Sequence, residues 1–492
     1  LEKEPTWVRN NDIASILRCL ILVGSWSDDV PGDRQAIREV TGVQFEDITR
    51  LLDDMSCQPD SPFIQSGGQW RLADPKYAIS CLASKLDNDV FIRWKRLVLD
   101  VLLADDPFQE MNVTNRLVAE VGGAKAVYSD VLGRHVAEGL AVVGVIAQNS
   151  TDLPLLQFYV NEIVRRLFEG AEQDASGRLF TKISSYFPYL AEASPEVFQE
   201  VLEADLKKLH PLVKLLFQGD DERRDIWGPR PHYPKLLWAL ERLCWSQDYY
   251  GRAARLLATV VSLAPRGSAT KMSLESLCKV TAGWLIQSNG SIEDKITVVG
   301  SIVRSCPNVG WRLVTKQLFD NHVTISDAGK PAYRDWEPQR QEVMHPELDQ
   351  YFDEMVDYLI DLAGDDADRW ADIVQKVELL ADRHRDSVIA FFEEVTSTSA
   401  WGGDERYNVW RSLTDLLDRY RTHSESEPRL SVEELASLRK TAAKLFSATD
   451  PRRYSPLFGW RPTVDDLRYG DEGYGAQLDS AQKQAVKDVA LG

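Results

Sequence analysis

From Arg93 almost to the end of this 492-residue chain, apolar residues recur at helical spacing, and the alternation of a strand is scarce. Trp94, Leu97, Val98 and Val101 share one stripe within residues 93–103. The same period predicts helices over 115–121, 128–146, 155–167, 177–189, 209–217, 236–244, 250–263, 273–287, 292–306 and 311–318. A further set covers 348–362, 369–380, 386–395 and 407–420. At Ser194-Pro195-Glu196 the Ser serves as a cap and the Pro occupies the first turn. Ser431-Val432-Glu433-Glu434 has the Ser-x-x-Glu spacing of a capping box and starts a helix running to Leu445. Short Gly, Pro and Asp turns join these segments. Helices with one apolar stripe each must stack neighbour on neighbour, so a mostly α chain with an irregular, HEAT-like α-solenoid is expected. No fixed period of about 34 or 40 residues recurs, which speaks against tetratricopeptide or ankyrin repeats.

The first ninety residues read differently. An apolar helix (Ile13, Ile16, Leu17, Leu20, Ile21) is followed by a second from Asp33 to Thr41. A third, from Phe45 to about Met55, carries Phe45, Ile48, Leu51 and Leu52 on one face. Phe63 to Leu72 then reads as a hairpin, with Gly67-Gly68 free to supply the φ > 0 turn. This is the order of a small winged-helix domain. In one that reads DNA, the third helix needs Lys or Arg against phosphate. Here its outward face sets Glu46, Asp47, Asp53 and Asp54 against Arg50 alone, so the domain is expected to pack on protein. The predicted divisions are a winged helix over 1–90, solenoid over 91–320, a long loop over 321–345, more solenoid over 346–464 and an acidic, Gly-rich tail over 465–492.

The net charge of −19 argues in the same direction, against nucleic acid and anionic membranes. No apolar run is long enough to span a bilayer, and the Ile13–Val23 run contains Arg18 and lacks a secretory leader's basic start. The six cysteines (Cys19, Cys57, Cys81, Cys244, Cys278, Cys306) are scattered, mostly in apolar helical settings, as expected of buried free thiols in a reducing, cytoplasmic compartment. The chain begins with Leu and reads as a piece of a larger cytoplasmic protein.

Catalytic patterns are not found. Gly267-Ser268-Ala269-Thr270-Lys271-Met272-Ser273 lacks the second Gly of a phosphate loop and reads as a surface turn. His384-Arg385-Asp386 spells a kinase triplet, but Phe391 stands where Asn must hold magnesium. The seven histidines are dispersed, with no Cys at ligand spacing. The expectation is a non-enzyme with no catalytic, metal or cofactor-binding residues.

Two clusters invite a binding role. Arg223, Arg224, Trp227, Arg230 and Tyr233 lie in the polar loop 220–234, beside Trp238, Trp245, Tyr249 and Tyr250. Trp238 and Trp245 are two helical turns apart and would share a stripe. The plain alternative is packing between solenoid layers. The second cluster, Tyr333, Arg334 and Trp336, sits in the longest irregular segment and has the composition of a binding hot spot. Its alternative is a connector whose Trp covers helix ends.

Leu22-Val23-Gly24-Ser25-Trp26 with its Asp-rich turn, Gln69-Trp70-Arg71, Tyr189-Leu190-Ala191-Glu192-Ala193-Ser194-Pro195-Glu196, Leu236 to Glu241, Val309 to Leu313 and Tyr333-Arg334-Asp335-Trp336 together resemble the C-terminal part of large bacterial STAND-type (NACHT-like) P-loop NTPases. In that family a winged helix and an α-helical sensor follow the nucleotide domain. The resemblance implies intracellular surveillance in antiphage defence, a protein ligand with phage proteins among the candidates, an upstream NTPase module as partner, and homo-oligomerisation on activation. ATP and magnesium would belong to that upstream module alone. An α-solenoid interaction scaffold with no switching role is the other reading.

Overall fold

The computed structural model describes residues 5–9, 11–108, 111, 113–149, 154–218, 231–320, 328–337, 342–422, 429–445, 450–459, 462, 464 and 472–491. Among these the protein is mostly helical, with one small sheet. Its contacts divide it into two compact units, Leu1–Ile302 with Thr324–Met344, and Val303–Val323 with His345–Gly492.

The first unit opens with α1 (Thr6–Arg9), α2 (Asn11–Val23), β1 (Trp26–Ser27), α3 (Pro31–Thr41), α4 (Phe45–Ser56), β2 (Phe63–Ser66) and β3 (Gln69–Leu72). The strands form one antiparallel sheet in the order β1-β3-β2, with Trp26 opposite Trp70. Gly67 and Gly68 both take positive φ (59° and 73°) at the β2–β3 turn, as a two-residue primed turn demands. Phe45, Ile48, Leu52 and Met55 of α4 are buried, while Glu46, Asp47, Arg50, Asp53 and Asp54 face solvent. Asp33, fully buried in α3, accepts from the Ser27 amide (2.9 Å), the Ser129 amide (2.9 Å) and the Ser129 hydroxyl (2.5 Å). That one carboxylate joins the sheet to the helix that follows Ser129. Burial raises its pKa against the lowering effect of those three donors.

Next come α5 (Pro75–Leu82), α6 (Asn88–Leu102), α7 (Val113–Val121), α8 (Asp130–Asn149), α9 (Pro154–Gln173), α10 (Arg178–Ser184), α11 (Phe187–Ala193) and α12 (Pro195–Leu206). After them stand α13 (Tyr233–Leu243), α14 (Gln247–Leu263), α15 (Ser268–Thr281) and α16 (Ile292–Ser305). The boundary expected at residues 90 and 91 falls inside α6. Helix α8 is central: it packs on α2, α5, α6, α9 and α11, and is buried along most of its length. Such a helix needs small residues where other backbones cross it. A Cβ at Gly144 would sit 2.2 Å from the Ala193 carbonyl oxygen, and one at Gly139 would sit 2.9 Å from that of Leu22.

Several expectations are corrected. The helix expected over 177–189 is two short ones, because Pro188 requires a fresh start at α11. Residues 212–217 form a 3₁₀ helix. Ser268 to Ser273 belong to α15 instead of a surface turn, with the Thr270 hydroxyl donating back to the Ala264 carbonyl (3.2 Å). Ser194 precedes α12 without a side-chain cap; its hydroxyl donates to Asn161 Oδ1 at 2.6 Å. Trp238 and Trp245 do not share a stripe, since α13 ends at Leu243. Trp245 is buried, and Trp238 is exposed under the Lys235 ammonium. Cys19, Cys244 and Cys278 are buried thiols in no disulfide, but Cys57 is exposed.

The second unit contains α17 (Pro307–Phe319), α18 (His345–Ala363), α19 (Ala367–Lys376), α20 (Asp382–Thr398), α21 (Gly403–Thr422), α22 (Val432–Leu445) and α23 (Tyr474–Leu491). Here α17 packs on α18, α18 on α20, α19 on α21, and α22 on both α20 and α21. The capping box at α22 is formed as expected: the Ser431 amide donates to Glu434 (2.5 Å) and the Glu434 amide to the Ser431 hydroxyl (3.1 Å). His384-Arg385-Asp386 lies within α20. Near the end, a 3₁₀ helix over Pro451–Phe458 packs on α23, where the Tyr454 hydroxyl donates to Asp488, and Phe458 stays exposed. Trp460 lies outside the described residues.

Candidate functional site

Pro195 sets the site up. Helix α11 must end before it, so the carbonyls of Glu192 and Ala193 lose the donors that a continuing helix would supply. The replacement comes from more than a hundred residues away. Residues 328–337, an irregular strap, lie in the first unit, and Arg334 inserts its guanidinium at this helix end. Its Nε donates to the Glu192 carbonyl at 2.7 Å, and its Nη2 donates to the same oxygen at 2.5 Å and to the Ala193 carbonyl at 3.4 Å. A cation at a helix C-terminus also meets the negative end of the dipole. Arg334 is only 7% exposed. That burial brings its pKa down to about 10, which still leaves it charged near neutral pH.

The Glu192 side chain is fully buried and faces the other way along the strap. It accepts from the amides of Ala332 (2.9 Å), Tyr333 (2.7 Å) and Arg334 (3.2 Å), and from Arg242 Nη1 at 2.6 Å. Three successive main-chain N–H groups and one guanidinium thus converge on one carboxylate. Such charge-assisted bonds are the strong class, and they are what makes a buried acid tolerable.

Two further acids extend the arrangement along the strap. Glu241, buried in α13, accepts from the Gly329 amide at 2.8 Å and from the Ser276 hydroxyl. Glu138 of α8 accepts the Tyr333 hydroxyl at 2.5 Å; burial first, and then this carboxylate, hold the phenol well above its usual pKa. The Trp245 indole donates to the Gly329 carbonyl (3.1 Å), with the Lys330 ammonium 5.4 Å from its ring centroid. Trp336 lies beside Tyr249, under the Arg334 guanidinium. At the outer edge Lys76 of α5 pairs with Asp335 at 3.1 Å, both exposed. The result is a groove with buried carboxylates holding an irregular segment, bent at residues 332–334, through main-chain and side-chain contacts together.

The structure therefore brings Tyr333, Arg334 and Trp336 together in this groove. The loop does cover a helix end, and Arg334, not Trp336, does the covering. Tyr233 lies elsewhere. It is 1% exposed at the start of α13, stacked on Phe217, and its hydroxyl donates to Met272 Sδ (3.2 Å). Arg223, Arg224, Trp227 and Arg230 lie outside the described residues. Sequence reasoning missed Glu138, Glu192, Glu241 and Arg242. The usable signal was an acid at the end of an apolar run, Glu192 after Leu190-Ala191 and Glu241 after Leu236 to Leu240.

Among the described residues, no group of three or more His, Cys, Asp or Glu is placed to hold a metal ion, and no helix is long and apolar enough to cross a membrane. No protein-family model matches the chain, and no curated protein matches it. The functional reading rests on residues and geometry.

Proposed function

We propose that this chain is the non-enzymatic control and ligand-sensing region of a larger STAND-type P-loop NTPase. In this reading a winged helix is followed by an irregular HEAT-like α-solenoid that recognises a protein ligand and governs activation and oligomerisation in bacterial antiphage defence. The observation that carries it is the N-terminal order α2-β1-α3-α4-β2-β3 with its β1-β3-β2 sheet, joined to an outward face of α4 that is acidic. That order is the one a winged helix has. An acidic third helix would be repelled by duplex DNA and suits contact with protein, here the nucleotide domain. The layered helices and the strap groove support recognition of a polypeptide. ATP and magnesium are assigned to the upstream module, and no residue of this chain is assigned to them.

The natural full-length protein tests this. A P-loop and its acidic metal-binding strand should precede Leu1, and deleting the present region should uncouple nucleotide turnover from ligand. An unrelated upstream domain, or turnover that is ligand-gated without this region, would leave an interaction scaffold as the better account.

A further inference from the structure

Every side-chain anchor of the strap could serve a peptide that is not part of this chain. The groove side supplies fixed partners: the Glu192 carboxylate, the two carbonyls at the end of α11, the Glu241 carboxylate, the Trp245 indole and the Glu138 carboxylate. The strap side supplies main-chain N–H groups, one Arg and one Tyr. It has no helix or strand of its own. A peptide ligand can be held in the same way, with main-chain bonds giving affinity and a few side chains giving selectivity.

We infer that the groove between α8, α11 and α13 is a peptide-recognition site, and that residues 328–337 are its tethered occupant. The partner it fits is a polypeptide segment that bends over three successive residues so that their N–H groups reach one carboxylate, with an Arg directly preceded by Tyr. Arg is required over Lys because one flat guanidinium must reach two carbonyl oxygens at once. Pro is excluded at the positions equivalent to Ala332, Tyr333 and Arg334, since each must donate its N–H to Glu192. Net charge does not set the preference: Arg242 already pairs with Glu192 at 2.6 Å and Lys279 lies 3.8 Å from Glu241, so selectivity rests on the directed hydrogen bonds. The tether makes the strap a strong competitor, with an effective concentration on the order of mM for a short link. An outside peptide therefore enters only when it binds better or when the strap is drawn out.

The inference supplies a ligand site for the recognition role proposed above and rests on that role for its biological partner, though not for its chemistry. The test uses the whole chain with protease sites introduced before residue 328 and after residue 337, so that the strap is released and the flanking pieces, 1–327 and 338–492, are left joined by the packing of α17 on α18. A fluorescent peptide of the strap sequence, Ala328 to Glu337, is then added. The expected result is that the cut strap is lost on gel filtration while the circular dichroism of the helices persists. The labelled peptide should take its place saturably, and versions with Ala or Lys for Arg334, or Pro for Tyr333, should bind at least tenfold more weakly. Retention of the cut strap with no exchange would overturn the inference, as would unfolding on its loss or equal binding of all four peptides. A chain carrying Glu192→Gln supplies the second measurement: uptake of the labelled peptide by the cut chain should fall at least tenfold, and unchanged uptake would remove Glu192 from the site. Failure here would leave the full-length experiment untouched, and failure of that experiment would leave the groove standing.

Discussion

Glu192 and Lys76 both bind the strap, and their surroundings decide which of them matters. The Lys76–Asp335 pair is exposed on both sides and worth at most about 1 kcal/mol. Lys76→Ala should barely move the unfolding midpoint. Glu192 is buried, and removing its charge leaves Arg242 and three amides facing a poorer acceptor. Glu192→Gln should cost about 3 kcal/mol, seen as a lower denaturant midpoint and faster hydrogen exchange at Ala332, Tyr333 and Arg334. Lys295 offers a separate test through pH. It is buried in α16, donates to the carbonyls of Ala282 (2.9 Å) and Leu285 (2.7 Å), and burial lowers its pKa from 10.5 to about 8. Between those values the unfolded chain holds a proton that the folded chain has lost, so this group's contribution to stability rises with pH. The rise is up to about 1.4 kcal/mol per pH unit. Unfolding of Lys295→Met, compared with the parent protein from pH 7 to 10, should lack that slope. Residue-level reading of the sequence went halfway. Tyr333, Arg334 and Trp336 stood out by type, but their partner lies 142 positions before Arg334, and a single sequence carries no record of such pairing.

At the level of elements, helical period and capping chemistry located most helices, because amphipathic stripes and a Ser-x-x-Glu box act locally. Where contacts from elsewhere decide, the reading slipped. Helix α15 starts five residues before the expected position, with Thr270 bonded back to the preceding turn. The α10–α11 break was foreshadowed by Pro188, whereas the apolar period runs straight through it. The crossing of α8 over the end of α11 is a matter of backbone distance that no periodicity reports. Its test is Gly144→Ala. A methyl 2.2 Å from the Ala193 carbonyl must push the two helices apart, at a cost of about 2–3 kcal/mol. Because Ala193 follows Glu192, the same variant should loosen the strap, with exchange at its amides rising more than exchange in α14.

For the molecule as a whole, the expected division at residue 320 would separate the strap from the unit that holds it. A fragment of residues 1–344 should therefore unfold cooperatively at a higher temperature than one of residues 1–320, which keeps Glu192 but loses three amides and Arg334. Equal melting temperatures would show that the strap adds nothing to the first unit. Helical stacking hides such boundaries in sequence, since each new helix looks like a continuation of the last. The strap also gives the protein a history on the ribosome. At about 5–20 residues per second, Arg334 emerges roughly 7 to 30 seconds after Glu192. In the later part of that interval, once α13 and Trp245 have been made, the groove's walls exist without their occupant. Only a chain whose translation has passed Arg334 can close it, so closure marks a point about two thirds of the way through synthesis.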